Sequence, residues 1–146
     1  MEPKFQVALK IRRPVRQVFE AVVDPQRLSG YFVQTASAPL APGATVMWKF
    51  LEVADPFPVI VHEVVQDQRI VFEWPSAVAG GKTKVEMTFK PIDADNTLVQ
   101  IAESGWPLTE PGLAASHGNA GGWMHMMASL KAYLEYGINL REGGAR

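Results

Sequence analysis

Apolar residues alternate with polar or small ones through Phe5, Val7, Leu9 and Ile11, the two-residue period of a half-buried strand. Pro14 suits the first turn of a helix. Val15, Val18, Phe19 and Val22 then recur at three- and four-residue spacing and predict one apolar helical stripe. Asp24-Pro25 ends that helix, because the residue before proline disfavours helical geometry. Gln26 to Phe32 adds a further turn, with Leu28, Tyr31 and Phe32 as its apolar contacts. After an Ala38–Gly43 loop rich in proline, the chain becomes strand-like. Val46, Trp48 and Phe50 alternate with Met47, Lys49 and Leu51. Val59 to Val65 is an apolar run broken by His62 and Glu63, so its inward face is undecided. A turn at Asp67-Gln68 leads into Ile70, Phe72 and Trp74, and Gly80-Gly81 separates these from Val85, Met87 and Phe89. The polar partners of that last strand, Lys84, Glu86, Thr88 and Lys90, place one sheet face in solvent. Val99, Ile101 and Glu103 follow a turn at Asp93–Asn96.

The period then changes. Trp123, Met126, Met127, Leu130, Leu134 and Ile138 recur at three- and four-residue intervals, an amphipathic helix broad enough to cover a sheet. Thr109-Glu110-Pro111 suits its cap and first turn, but Gly112, Gly118, Gly121 and Gly122 each weaken a helix by about 1 kcal/mol relative to alanine, which leaves its start open. Strand, helix, short helix, about five strands and a long helix make an α+β domain with helix laid across sheet.

A chain of 146 residues fits one domain with a substantial core. A net charge of -1 creates no field favouring nucleic acid or an anionic membrane surface. No apolar run approaches the roughly 18 residues of a membrane span, and Met1 to Phe5 does not open a signal peptide. The chain has no cysteine, which excludes disulfides and thiolate metal sites and fits a reducing compartment. Cytoplasmic residence is the expectation. His117 and His125 are eight residues apart, more than two helical turns, and His62 is isolated on a strand. With no carboxylate cluster beside them, neither a metal nor a cofactor is expected.

Ser76 to Thr83 nearly spells a phosphate-binding loop, but Ser76 stands where a glycine belongs and a strand, not a helix, follows. Gly80-Gly81 reads instead as a hairpin turn. No nucleophile elbow or triad context exists, so no catalytic residue is assigned. Arg12, Arg13 and Arg16 read as a solvated basic group at a helix start.

Ile11-Arg12-Arg13-Pro14-Val15-Arg16-Gln17-Val18-Phe19 resembles the strand, proline and amphipathic-helix opening of the SRPBCC (START-like) superfamily. Pro25 to Phe32, Ile70-Val71-Phe72-Glu73-Trp74, Asn96-Thr97-Leu98-Val99, Ser104-Gly105-Trp106 and Gly122-Trp123 resemble its branch named after the activator of the heat-shock protein 90 ATPase. The agreement lies in order and spacing from about Phe5 to Gly137. It implies a helix-grip fold: a curved antiparallel sheet of the seven-stranded type wrapped around a long C-terminal helix, with two short helices after the first strand and a cavity between sheet and helix. Residues 1–146 then form one START-like domain, with a core of about 5–137 and a flexible tail at 138–146. Members of the superfamily include lipid and hormone binders, cyclases, dehydratases and a co-chaperone. Many relatives carry a histidine just before the serine-glycine-aromatic strand end, where this chain has Glu103.

The candidate pocket lining is Phe32, Trp48, Phe50, Phe72, Trp74, Met87, Phe89, Ile101, Glu103, Trp106, Trp123, Met126, Met127 and Leu130. The same side chains would also serve as a filled core. Four tryptophans, each needing an indole N–H partner if buried, and side-chain volume lost at Gly118, Gly121 and Gly122 favour a pocket. By the two-residue period Glu103 shares the inner face with Val99 and Ile101; it is either an orienting acceptor or base at the pocket mouth, or a strand-end residue reaching solvent. Glu63 is a second carboxylate of undecided direction. The expected function is non-catalytic binding of a small hydrophobic or amphipathic molecule, with no nucleic acid and no membrane insertion. The alternatives are a cyclase- or dehydratase-type enzyme using a pocket carboxylate, and a chaperone-modulating interaction domain. Self-association stays open.

Overall fold

The computed structural model describes residues 2–78 and 80–144; Met1, Ala79 and positions 145 and 146 of the expected tail lie outside them. In chain order the elements are β1 (Lys4–Ile11), α1 (Val15–Val23), α2 (Pro25–Leu28), β2 (Thr35–Ala36), β3 (Thr45–Lys49), β4 (Phe57–Val65), β5 (Arg69–Pro75), β6 (Lys82–Asp93), β7 (Asn96–Ser104) and α3 (Glu110–Tyr136). The strands form one antiparallel sheet in the order β1-β7-β6-β5-β4-β3-β2, and it curves around α3 in the helix grip. Strand β1 departs through the two helices, and β7 returns to pair with it, Leu9 opposite Val99 and Phe5 opposite Glu103.

Alternation decides the faces. Val85, Met87 and Phe89 of β6 and Val99 and Ile101 of β7 are buried inward, against Val18, Phe19 and Val22 of α1 and Trp123, Met126, Met127 and Leu130 of α3. The outer face is polar: His62 meets Glu73 at 2.6 Å, and Arg69 pairs with Glu86 and, at 3.9 Å, with Glu63. The ambiguous run in β4 has a local cause. Val61 pairs with Phe72, and the next pairing is Glu63 with Val71, so His62 is the extra residue of a bulge and the phase of the strand changes there. Glu63 thereby points outward. Strand β2, only two residues long, has too little pattern to be seen in the sequence.

Helix α3 starts where the Thr109 signal places it. Thr109 Oγ1 accepts the Gly112 amide at 3.1 Å, satisfying one of the donors a helix start leaves free. Gly112 is a requirement here, since a Cβ would run into the Pro107 carbonyl oxygen. The helix passes through Gly118, Gly121 and Gly122 because the burial of Trp123, Met126, Met127 and Leu130 outweighs their low propensity. Gly137, at φ 68°, closes it in the left-handed conformation, its amide on Tyr133 O at 3.0 Å. Ile138, included in the apolar stripe by spacing, therefore lies past the helix and is exposed. Among the described residues no helix is long and apolar enough to cross a membrane.

The C-terminal turn of α3 is tied to the end of β1 through Glu135. Its carboxylate accepts the Arg12 amide (2.9 Å), Arg12 Nε (2.6 Å) and Lys131 Nζ (2.6 Å), while Arg12 Nη2 donates to the Tyr136 hydroxyl at 2.7 Å. Arg12, still largely exposed, therefore also serves as a clamp. Burial opposes ionisation of Glu135, but the Arg12 amide, the Lys131 ammonium and the Arg12 guanidinium outweigh it and hold the carboxyl at about 2, down from its ordinary 4.5. A lowered folded-state value means that the contribution is complete above about pH 4.5 and disappears as pH falls toward 2. With the partners partly solvated and screened, Glu135→Gln is expected to cost about 1–2 kcal/mol at pH 7 and to flatten the loss of stability between pH 4.5 and 2. Urea unfolding across that range checks both.

Candidate functional site

Continuing the inward alternation of β7 past Ile101 brings Glu103 to the inner face, where it is 1% exposed. The strand-end, solvent-facing reading is thereby corrected. Burying a carboxylate demands hydrogen-bonding partners, and four side chains supply them. Trp74 Nε1 donates to Oε2 at 2.9 Å, Thr83 Oγ1 to Oε2 at 2.6 Å and Trp123 Nε1 to Oε1 at 2.8 Å. Asn119 Nδ2 reaches both oxygens, at 3.1 and 3.0 Å. The donors come from β5, β6 and α3, so one carboxylate fastens the sheet to the helix. All four are neutral, and among the described residues Glu103 enters no ion pair.

Both indoles are fixed by these bonds. Trp74 and Trp123 stack with centroids 5.1 Å apart and planes at 25°, and Phe32 packs against Trp123 at 5.7 Å and Phe50 at 5.1 Å. Above them lies a half-open pocket of 570 Å³ lined by Phe32, Phe50, Glu52, Val53, Trp74, Gly118, Asn119, Gly122, Trp123, His125 and Arg141. That volume lies within the range of small-molecule sites, about 300–1,000 Å³. Helix α3 supplies its wall by four-residue spacing: Gly118 and Gly122 on one row, Asn119 and Trp123 on the next. A Cβ on either glycine would meet nothing within 4 Å, so both leave open space. At the rim Arg141 pairs with Glu52 at 2.5 Å, its guanidinium carbon 5.5 Å from the Phe50 centroid.

Of the predicted lining, Phe32, Phe50, Trp74 and Trp123 are brought together at the pocket, with Glu103 bonded behind its wall. Trp48, Phe72, Met87, Phe89, Ile101, Met126, Met127 and Leu130 lie in the packed core. Trp106 stands apart, stacked on Phe5 at 5.8 Å. The indole N–H groups of Trp48 and Trp106 are buried without a partner among the described residues, so a hydrogen-bond partner is met there at two of the four tryptophans. Sequence reasoning missed Thr83, which continues the inward row of Val85, and Asn119, one helical turn before Trp123; both signals were present. Nothing local announces Glu52, Val53 or Arg141, because they meet only when the segment after α3 returns to the β3–β4 loop. No three His, Asp or Glu side chains among the described residues are grouped to hold a metal ion.

Residues 12–135 match the family model described as activator of Hsp90 ATPase homolog 1-like protein. The chain belongs to that family. The match contains nearly all the segments that carried the resemblance. Among solved structures, the protein SSP2350 from Staphylococcus saprophyticus superposes with a TM-score of 0.80 at 25% identity, over 94% of this chain and 96% of that one. DynU16, a putative protein of the dynemicin biosynthetic locus, gives 0.80 at 28% identity, over 94% of this chain but 49% of its own. An HSP90 activator from Plasmodium falciparum gives 0.74 over 91% and 96% at 16% identity, a likeness of fold alone. No curated protein matches the chain.

In Glu103→Gln one oxygen stays an acceptor and the other becomes an NH2 donor, which strands part of the set of two indoles, a hydroxyl and an amide that the carboxylate now satisfies. At about 1–3 kcal/mol for each buried unsatisfied donor, partly relieved by relaxation, Glu103→Gln is expected to lower stability by roughly 2–4 kcal/mol in chemical denaturation. A loss under about 0.5 kcal/mol would show that the network is not needed.

Proposed function

We propose that the chain binds a small hydrophobic or amphipathic molecule in the pocket between α3 and the β3–β5 side of the sheet, without chemical conversion. The observation that carries this reading is the 570 Å³ space walled by Phe32, Phe50, Trp74 and Trp123, with its polar groups confined to Asn119, His125, Glu52 and Arg141. Apolar walls with few polar groups favour binding through buried area, at about 25 cal/mol per Å².

The carboxylate speaks for binding over catalysis. An ionised carboxyl offers about four lone-pair sites, and Glu103 meets five donor contacts from Trp74, Thr83, Asn119 and Trp123. No acceptor site is left for a substrate proton, as a cyclase- or dehydratase-type base requires. Glu63, on the outer face with Arg69, does not reach the pocket. Chaperone modulation is the second reading, favoured by the family match; co-purification with a heat-shock protein 90 that depends on neither pocket residues nor pocket ligands would support it over the first.

The test is a titration of aromatic and acyl compounds followed by tryptophan fluorescence. Binding is expected to perturb Trp74 and Trp123, and Gly122→Leu, which fills the open space at the helix wall, is expected to weaken it by at least about tenfold with little change in thermal stability. Absence of binding across the set, or equal binding by Gly122→Leu, contradicts the reading.

A further inference from the structure

We infer that the pocket selects an organic cation: an ammonium group on an apolar body, rather than a neutral or anionic ligand. The inference rests on the binding role proposed above and adds the charge of the ligand. The first ground is the balance of charge. Glu52 and Arg141 pair with one another at the rim, and Glu103 behind the wall accepts from neutral donors. The Glu103 carboxylate thus lies in a low-dielectric interior with no ion pair among the described residues, where its field is weakly screened. The side chain that lines the pocket and touches that charge, Asn119, gives its amide N–H to the carboxylate. Its amide oxygen, an acceptor, is what it has left to offer.

The second ground is the aromatic wall. Trp74 and Trp123 both line the pocket and both donate their indole N–H to Glu103. Donation to an anion pushes electron density into the ring, which makes the negative π-face more attractive to a cation. The chain itself places one cation on this wall: the Arg141 guanidinium lies over Phe50, 5.5 Å from its centroid. A quaternary ammonium needs aromatic surface and a nearby negative charge rather than strong hydrogen-bond donors; Phe32, Phe50, Trp74 and Trp123 line the pocket, and the last two touch the Glu103 carboxylate.

The experiment uses the intact chain and three probes of similar size, benzyltrimethylammonium, neopentylbenzene and phenylacetate, titrated while the indole N–H resonances are followed by NMR. The cation is expected to bind at least about tenfold more tightly than its uncharged isostere, and the carboxylate most weakly. Equal affinity for cation and isostere, or tightest binding of phenylacetate, overturns the inference while leaving the binding role intact; no binding of any probe overturns both. In Glu103→Gln that retains its circular dichroism spectrum, the cation-to-isostere ratio is expected to fall at least threefold. An unchanged ratio would assign the preference to something other than the buried charge and so also overturn the inference.

Discussion

A single buried carboxylate, held by neutral donors, organises this molecule. Glu103 can be tolerated inside only because its oxygens meet donors from three different elements, and those donors in turn are held in place by it. The constraint reaches outward in both directions. Toward the core it fixes the separation of α3 from β5, β6 and β7. Toward the pocket it fixes the two indoles and the amide that form the wall. A neutral side chain could fill the same volume, but it could not accept from two indoles, a hydroxyl and an amide together. Network and pocket are therefore one construction, with the stabilising bonds on one side of the tryptophans and the open space on the other.

The remaining architecture supports that construction at a distance. The Glu135 clamp joins the last turn of α3 to the end of β1, and the Thr109 cap with Gly112 fixes the first turn against Pro107. Held at both ends, the helix can carry Gly118, Gly121 and Gly122 in its exposed middle turns. The missing side chains at 118 and 122 leave the space that the tryptophans face. Low helix propensity thus coincides with the pocket, as expected where a local preference gives way to a binding surface.

Most of the fold was legible because periodicity is a direct consequence of burying one face of each element. The clean alternation of Val85, Met87 and Phe89 located β6, and the same rule carried through Val99 and Ile101 put Glu103 on their face but left open whether the strand end reached solvent. The rule failed where a local irregularity changed its phase: the bulge at His62 makes the β4 run two-sided in sequence. It also failed where an element was too short, as in β2. The site was half legible. Phe32, Phe50, Trp74 and Trp123 stood out as bulky inward residues, but periodicity alone does not separate a pocket wall from the core, where Met87, Met126 and Leu130 are packed. Arg141 and Glu52 are 89 residues apart, and only the return of the chain after Gly137 brings them together.

Glu103 holds the Trp74 and Trp123 indoles, and indole N–H resonances report on that hold directly. Of the four tryptophans, Trp74 and Trp123 are expected to show downfield N–H signals characteristic of bonding to an anion, with Trp123 exchanging slowly with solvent, and both signals moving upfield in Glu103→Gln. Trp48 and Trp106, which have no acceptor among the described residues, are expected to stay where they are. Indole signals of Trp74 and Trp123 that sit with those of Trp48 and Trp106 in the wild-type chain, and that ignore the substitution, would contradict the account.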